Sequence, residues 1–279
     1  MSTSSQNADV LNSYDRQLGD WIELEKAAIE LIHIIGDLWF NRSVELIIFR
    51  NQLVDRSASQ ILNLHQYAKD FVKKPISIMD TVAIAAVIRD LDLAPSRIDI
   101  GKLGAEWISE SAEYGNDIKK FVTGKLSGLI GKEKRGLIPR DVILYGFGRI
   151  GRILARELVG QAGKGEQLRL RAIVVRGRSE DDLSKRAELL RNDSVHGPFP
   201  GTVIEDKEKN ALVVNGHTIF VIDAKNPEDI DYTAYGITNA LLIDNTGVAR
   251  DRAGLSRHLT AKGVDKVLLT APGKGDIPN

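Results

Sequence analysis

Cysteine is absent from the chain of 279 residues. Its absence excludes disulfide bonds, thiolate metal sites and a cysteine nucleophile within these residues. The histidines are His33, His65, His196, His217 and His258. They show no ligand spacing such as His-x-x-x-His, so we expect no metal site.

An excess of charge of one sign is also missing. The chain has 38 Lys and Arg residues against 38 Asp and Glu residues, so no global basic field favours nucleic acid or an anionic membrane. No run of about 18 apolar residues exists. The polar first residues lack the basic start and apolar core of a signal peptide. We therefore expect no nucleic-acid partner, no membrane association and a cytoplasmic location.

Two regions of the chain differ in pattern. The Ser- and Asn-rich residues 1–13 are predicted to be a disordered tail. Apolar residues in 14–136 recur at three- and four-residue steps, which is typical of amphipathic helices. One of these helices is predicted to carry Val44, Ile47, Ile48, Leu53 and Val54. The region ends in GKEKRG, a charged and glycine-bounded run that is typical of a linker.

After residue 136, short β-branched runs alternate with helical patterns. The predicted buried strands include DVILYG, LRLRAIVV, ALLIDNTG and KVLLTAPG. Asn215-Gly216 lies between two β-rich runs and predicts a hairpin. Because strands alternate with helices, we predict an α/β fold with a parallel sheet over 137–279, preceded by an all-α N-terminal region.

A glycine motif follows the first of these predicted strands. The sequence from 146 to 151 fits Gly-x-Gly-x-x-Gly, in which the glycines permit a tight turn, close approach of backbone to a pyrophosphate, and packing of the helix on its strand. A bare match also suits an ordinary glycine-rich corner between a strand and a helix. Here an apolar strand precedes the motif and an amphipathic helix follows it, which favours a dinucleotide-binding, Rossmann-type sheet. The candidate cofactor-binding residues of the turn are Gly146, Phe147, Gly148, Arg149, Ile150 and Gly151.

Five ordered blocks resemble glyceraldehyde-3-phosphate dehydrogenase. They are GFGRIGR, NDSVHGPFPGTV, LVVNGHTI, NTGV and TAPGKGDIP, and they run from about residue 140 to the end. The helical first half, with RNQLVDRSASQILNLHQYA, resembles an extension found on a long bacterial branch of the same family. The resemblance explains why the glycine turn comes so late, since an added helical region precedes the nucleotide domain.

The resemblance implies further cofactor contacts and two kinds of histidine. It places Asn245, Thr246, Gly247 and Thr270 beside the nicotinamide end of NAD or NADP, although Thr270 also suits a simple cap at a strand end. The family has Glu where this chain has Asp244, which is a mild departure. His196 matches a structural histidine, and we expect His217 and His258 to be exposed.

Cofactor choice depends on the end of the second strand. The family commonly has an Asp there, which binds the adenosine ribose, whereas this chain has Arg176 and Arg178 followed by Ser179. Guanidinium groups and a serine suit the 2′-phosphate of NADP. Acidic residues follow directly, so a solvated charged turn is an equally open interpretation, and the choice between NAD and NADP stays open.

The catalytic groups of the family have no counterpart in these residues. The family uses a cysteine thiolate, an assisting histidine and phosphate-binding arginines, all of which would lie beyond Asn279. We therefore expect the chain to be the N-terminal, dinucleotide-binding portion of a longer phosphorylating dehydrogenase, without catalytic residues of its own. The resemblance implies a homo-oligomer, a tetramer, for the full-length protein. The alternative is a non-enzymatic protein that senses nucleotide or binds a partner.

Overall fold

The computed structural model describes residues 3–132, 138–163, 165, 167–176 and 182–279, with side chains from residue 14 onward. Contacts divide the chain into two compact units, Met1–Arg135 and Gly136–Asn279. Across the described ranges, no helix is long and apolar enough to cross a membrane. The same ranges contain no group of three acidic or histidine side chains placed to hold a metal ion.

The first unit is mainly helical. Its helices are α1 (Thr3–Arg42), α2 (Ala58–Tyr67), α3 (Ile78–Asp90), α4 (Ile100–Glu110) and α5 (Ile118–Lys125). Its strands are β1 (Val44–Ile48), β2 (Asn51–Gln52) and β3 (Ser96–Asp99). A single apolar core includes Leu31 of α1, Ile84 of α3 and Phe121 of α5. The stretch 14–26 of α1 is exposed, so only the C-terminal half of this helix packs on the core.

Three short strands make the prediction of an all-α first region wrong. β1 pairs in parallel with β3 and antiparallel with β2. Val44, Leu46 and Ile48 alternate along β1 and are fully buried, which is the period of a strand. Phe49 and Arg50 then adopt φ of 44° and 73°, so the chain reverses where the sequence predicted a continuing helix.

The N-terminal residues also differ from their prediction. Helix α1 begins at Thr3, within the stretch 1–13 that we predicted to be disordered. Ser and Asn are only mildly unfavourable in a helix, and they extend a helix that the apolar residues behind them already anchor. Polar composition alone was therefore a poor guide to the backbone here.

The second unit alternates strands and helices. Its strands are β4 (Arg140–Tyr145), β5 (Leu168–Val175), β6 (Asn192–Asp193), β7 (Gly197–Pro198), β8 (Val203–Asp206), β9 (Ala211–Val214), β10 (His217–Asp223), β11 (Ala240–Asp244) and β12 (Val264–Leu269). Its helices are α6 (Arg149–Gly160), α7 (Asp182–Arg191) and α8 (Arg252–Leu259). Short 3₁₀ turns lie at Pro227–Asp229 and Tyr232–Tyr235.

Seven of these strands form one sheet in the order β12-β11-β4-β5-β10-β9-β8. The strands from β12 to β10 are parallel, and β9 and β8 complete the sheet antiparallel. The turn between β9 and β10 has φ of 46° at Asn215 and 83° at Gly216, so the predicted hairpin is confirmed. Separate apolar clusters cover the two faces of the sheet.

The strand order reverses at β4. The chain leaves β4 toward β5 and β10 on one side, then returns to place β11 and β12 on the other. In open parallel sheets ligands bind at such a switch point, outside the carboxyl ends of the strands. The Rossmann-type prediction is confirmed, and the topology directs attention to the residues after β4 and β11.

Candidate functional site

The turn after β4 requires glycine at its first and last motif positions. Gly146 has φ of 97°, and its N–H donates to the Val174 carbonyl at 2.9 Å. A Cβ on Gly146 would lie 2.9 Å from Cγ2 of Thr246. A Cβ on Gly151 would lie 2.4 Å from the Gly146 carbonyl oxygen, so helix α6 can approach the strand closely only with glycine there.

Gly148, the middle glycine of the motif, borders open space. It is the N-cap residue of α6, and an added Cβ would meet no heavy atom within 4 Å. Gly148 has no side chain to cap α6, and a helix N-terminus of this kind can offer its first N–H groups to an anion. Arg149 and Ile150 are exposed beside it, whereas the Phe147 side chain is buried in the core. Phe147 can therefore reach a ligand only through its backbone.

The loop after β11 contacts this turn. The Asn245 N–H donates to the Tyr145 carbonyl at 2.8 Å, and its side-chain amide lies 3.4 Å from the Gly146 carbonyl. Gly247 has φ of 66° and passes close to Ala271. The structure thus brings together the predicted residues after β4 and those after β11, although they are about a hundred positions apart in the chain.

The end of β12 is tied to the end of β11. Both the N–H and the hydroxyl of Thr270 lie 3.1 Å from the Asp244 carbonyl oxygen and donate to it. Thr270 therefore caps a strand end and at the same time borders the loop at Asn245. Its position fits the predicted neighbourhood of the cofactor, and the hydroxyl already has an acceptor within the protein.

A buried hydrogen-bonded pair, Asp244 and His258, lies beside the loop, and the sequence analysis missed it. Nε2 of His258 lies 3.1 Å from Oδ2 of Asp244, and each side chain is only 1% exposed. The expectation that His258 is exposed is wrong, because α8 turns this side chain onto the sheet beside Tyr145, with ring centres 4.6 Å apart. Its spacing of three from the buried Leu255 was the available signal.

Asp244 also accepts hydrogen bonds from the loop itself. Its Oδ1 accepts the N–H and the hydroxyl of Thr246, both at 2.7 Å. Burial opposes ionisation of this carboxyl, but the hydrogen bonds from His258 and Thr246 outweigh it and hold the pKa of Asp244 below its ordinary value. The carboxylate is thus ionised and buried, and each of its two oxygens accepts a hydrogen bond.

Arg176 lies at the carboxyl end of β5, directly after Val175. Burial raises the pKa of the neighbouring Tyr145 hydroxyl, and the positive charge of Arg176 partly opposes that rise. A cationic group therefore stands at the edge where the adenosine ribose of a dinucleotide would lie. Arg178, its predicted companion, lies outside the described residues.

His196 is engaged by its own loop. Its Nδ1 lies 3.0 Å from Oδ1 of Asp193, which also accepts the N–H groups of Val195 and His196. These hydrogen bonds hold the pKa of Asp193 well below its ordinary value. The geometry fits the structural role that the resemblance implied. His217 is half-buried, and burial lowers its pKa.

Comparisons with known proteins agree with the geometry. Residues 140–252 match the family model described as glyceraldehyde 3-phosphate dehydrogenase, NAD binding domain. A glyceraldehyde-3-phosphate dehydrogenase-like protein of Pseudomonas aeruginosa is 46% identical over 252 residues, which is 89% of this chain and 54% of that protein. That alignment is longer than the second unit, so it extends well into the first.

Other relatives match only about half of the chain. Glyceraldehyde-3-phosphate dehydrogenase of Zymomonas mobilis is 37% identical over 136 residues, or 49% of this chain and 37% of that protein. The chloroplastic enzyme A of Zea mays is 39% identical over 137 residues, or 49% of this chain and 32% of that protein. The chain thus spans about half or less of the curated relatives that it matches.

The family match and the topology together identify the second unit as a nucleotide-binding domain. Its glycine turn, its switch point and its strand order are those of a fold that binds NAD or NADP. The expected class of cofactor, NAD or NADP, is confirmed by the matching family model. The chain resembles glyceraldehyde-3-phosphate dehydrogenase, and residues 140–252 correspond to the NAD-binding domain of that family.

Proposed function

We propose that this chain is the dinucleotide-binding part of a phosphorylating glyceraldehyde-3-phosphate dehydrogenase. The observation that carries the proposal is the free N-terminus of α6, with open space over Gly148, at the switch point of the sheet. A helix N-terminus without a side-chain cap offers N–H groups and a positive dipole end to a pyrophosphate. Nothing in the comparisons supports the alternative of a non-enzymatic regulator.

In this proposal the two halves of the dinucleotide lie on opposite sides of the switch point at β4. The pyrophosphate lies on Gly148 and the first turn of α6. The adenosine half lies toward β5 and Arg176, and the nicotinamide half lies toward the loop 245–247 and Thr270. The nicotinamide supplies hydride transfer when it is bound, while these residues bind and orient it.

The nucleophile must come from outside these residues. The chain has no cysteine, and His196 and His258 are each bonded to an aspartate. Nε2 of His65 lies 2.9 Å from the Thr81 hydroxyl, but both side chains are buried in the first unit, and this hydroxyl donates to the Ile78 carbonyl. A serine or threonine without an adjacent base is too weak for this attack near neutral pH. We therefore expect the chain to bind NAD or NADP and not to oxidise an aldehyde by itself, and we propose that the whole protein is a homo-oligomer.

The phosphate site is tested with Gly148→Val. The valine side chain would enter the space assigned to the pyrophosphate, so dinucleotide binding measured by titration calorimetry should be lost while the circular dichroism spectrum stays unchanged. Gly160→Val is the matched control, because this glycine is exposed at the other end of α6 with open space over it. Binding by Gly148→Val as tight as by the parent would refute the assignment.

Turnover by the chain alone is the second test. The purified chain receives glyceraldehyde 3-phosphate, phosphate and NAD or NADP, and reduced cofactor is followed by absorbance. We expect none, and activity should return in a longer chain to which the cysteine-containing part of a relative is fused. Turnover above about 1 per second in a preparation free of host dehydrogenase would overturn the proposal. Binding with no turnover in the longer chain would instead favour a nucleotide-sensing protein.

Cofactor choice is tested with Arg176→Ala and Arg178→Ala. Loss of a charge-assisted hydrogen bond costs about 1.5–3 kcal/mol, so either change should weaken NADP binding by about tenfold or more and barely alter NAD binding. Losses of equal size for the two cofactors would show that these arginines do not bind a 2′-phosphate. In that case NAD, which the family generally prefers, would be the assigned cofactor.

A further inference from the structure

The pair formed by Asp244 and His258 joins three elements at the site. Asp244 is the last residue of β11, His258 belongs to α8, and Thr246 lies in the loop between them. The pair is 1% exposed on both sides, so neither group is placed to touch a ligand directly. Its hydrogen bonds nevertheless end on the loop that borders the glycine turn.

We propose that Asp244 and His258 are positioning residues that fix the loop 245–247 for the nicotinamide half of the dinucleotide. This inference rests on the proposed function, which assigns the nicotinamide half of the dinucleotide to the loop 245–247. Asp244 acts through Thr246, and His258 acts through Asp244.

The acceptor and donor atoms decide which of these groups acts on which. A carboxylate only accepts, so Nε2–H of His258 must donate to Oδ2 of Asp244. This bond fixes the ring and leaves Oδ1 facing Thr246, where it accepts both the N–H and the hydroxyl. Without the histidine, one oxygen of a buried carboxylate would lose its donor, and the carboxylate would turn to seek another.

A movement of the Asp244 carboxylate would be transmitted to the glycine turn through two contacts of the loop. The methyl group of Thr246 lies 2.9 Å from the position that a Cβ on Gly146 would take, and the Asn245 N–H donates to the Tyr145 carbonyl. A loop that loses its anchor at Oδ1 therefore shifts against the glycine turn on the β11 side. Among the described residues, the side-chain hydrogen bonds of the pair end on Thr246 and not on β5 or Arg176, which form the adenosine side. The Tyr145 ring of β4 packs on His258 without a hydrogen bond to it.

The test compares two ligands on matched variants. ADP-ribose contains the adenosine half and the pyrophosphate but lacks the nicotinamide ring, so it reports on the rest of the site. His258→Leu removes the donor, and we expect it to weaken NAD binding by about tenfold and ADP-ribose binding by less than about twofold. His258→Gln, which keeps an N–H donor at similar reach, should recover most of the loss.

A second pair of variants covers the case in which His258→Leu fails to fold. Thr246→Val keeps the size of the side chain and removes the hydroxyl, whereas Thr246→Ser keeps the hydroxyl. We expect Thr246→Val to weaken NAD binding selectively by about fivefold, and Thr246→Ser to stay closer to the parent. Equal losses for NAD and ADP-ribose, or no loss for either ligand, would overturn the inference.

The outcomes also separate this inference from the proposed function. If the parent chain binds neither NAD, NADP nor ADP-ribose, the proposed function fails and the positioning role fails with it. If the parent binds and the His258 and Thr246 variants bind as the parent does, only the positioning role is refuted.

Discussion

The two units each contain a corner where a parallel strand runs directly into a helix, and the corners differ in one group. In the first unit β3 leads into α4, and Asp99 caps the helix with its side chain. Oδ1 of Asp99 accepts the N–H groups of Lys102 and Phe49, both at 3.0 Å. In the second unit β4 leads into α6, and the residue at the cap position is Gly148.

The residue at the cap position separates a corner whose N–H groups are satisfied within the protein from one that can bind an anion. A carboxylate at the cap satisfies the free N–H groups and the positive end of the helix, so the corner at Asp99 has no further need of an anion. Ser57, Ser77 and Asp117 cap α2, α3 and α5 in the same way. Against these capped helices, the N-terminus of α6, where Gly148 has no side chain, fits the pyrophosphate site that we propose.

The largest expected effect is a loss of stability in the first unit that leaves dinucleotide binding unchanged. Leu31 is fully buried in the core of the first unit, so Leu31→Ala should lower its free energy of unfolding by about 2–5 kcal/mol. All three tryptophans, at positions 21, 39 and 107, lie in this unit, so tryptophan fluorescence in urea reports on it. Dinucleotide affinity should not change, because every proposed contact lies in the second unit.

Leu24→Ala is the control for this change, since Leu24 lies on the exposed part of the same helix and should alter stability by less than about 0.5 kcal/mol. A large loss of dinucleotide affinity in Leu31→Ala at temperatures where the protein stays folded would contradict the assignment of binding to the second unit alone.

The next effect concerns the tight side of the glycine turn. Gly151→Ala would place a methyl group 2.4 Å from the Gly146 carbonyl oxygen, so backbone must move. We expect a loss of about 1–3 kcal/mol in stability together with loss of dinucleotide binding, measured by thermal unfolding and calorimetry. Gly160→Ala, on the open end of the same helix, should do neither. If Gly151→Ala bound the dinucleotide as tightly as the parent does, the turn would tolerate a larger separation between α6 and the strand.

What the sequence could predict here depended on local pattern. The glycine turn, the alternation of strands and helices and the Asn215-Gly216 hairpin are encoded within a few residues, and they were found. The strands β1 and β3 were missed because their pairing joins segments about fifty residues apart, and Val44, Ile47 and Ile48 suit either a buried helix or a strand.

The residues of the candidate site also divide into those that the sequence predicted and those that it did not. Gly146 was predicted from the glycine motif, and Asn245 and Thr270 from the family resemblance; the structure places all three at one edge of the sheet. The burial of His258 was missed, because its spacing from Leu255 is a weak signal and its partner Asp244 lies fourteen positions away on a different element. A histidine in a helix is polar by composition, and only the fold shows that it faces a carboxylate.

Removing the cap of α4 and adding one to α6 tests the comparison directly. Asp99→Ala removes the cap of α4 and a hydrogen bond to Phe49, so the first unit should lose about 0.5–2 kcal/mol. Gly148→Asp gives α6 a carboxylate cap in an extended backbone conformation that aspartate adopts readily. That variant should keep or slightly gain stability while its NAD affinity falls by about tenfold or more.

Gly148→Asn is the control for charge in this exchange, since asparagine caps a helix about as well without a negative charge. It should weaken NAD binding less than Gly148→Asp does. If Gly148→Asp bound NAD as tightly as the parent, the free N-terminus of α6 would not be the phosphate site.

The smallest expected effect is a pH dependence of the first unit alone. His65 is buried, with Nδ1 2.8 Å from the Ile61 carbonyl and Nε2 2.9 Å from the Thr81 hydroxyl. Burial lowers the pKa of His65, and the hydrogen bond to Ile61 only partly opposes it. In the unfolded chain this histidine takes up a proton as the pH falls through about 6.5, whereas in the folded unit it does so only at a lower pH.

Because the unfolded state then binds more protons, the free energy of unfolding should fall as the pH drops from about 6.5 toward 5, by at most about 1.4 kcal/mol per pH unit from this group. His65→Gln removes the titrating group, so urea unfolding followed by tryptophan fluorescence should give a shallower slope over that range. His33→Gln, an exposed position on α1, should leave the slope of the parent unchanged. Identical slopes for the parent and His65→Gln would show that the pKa of His65 is not lowered in the folded first unit.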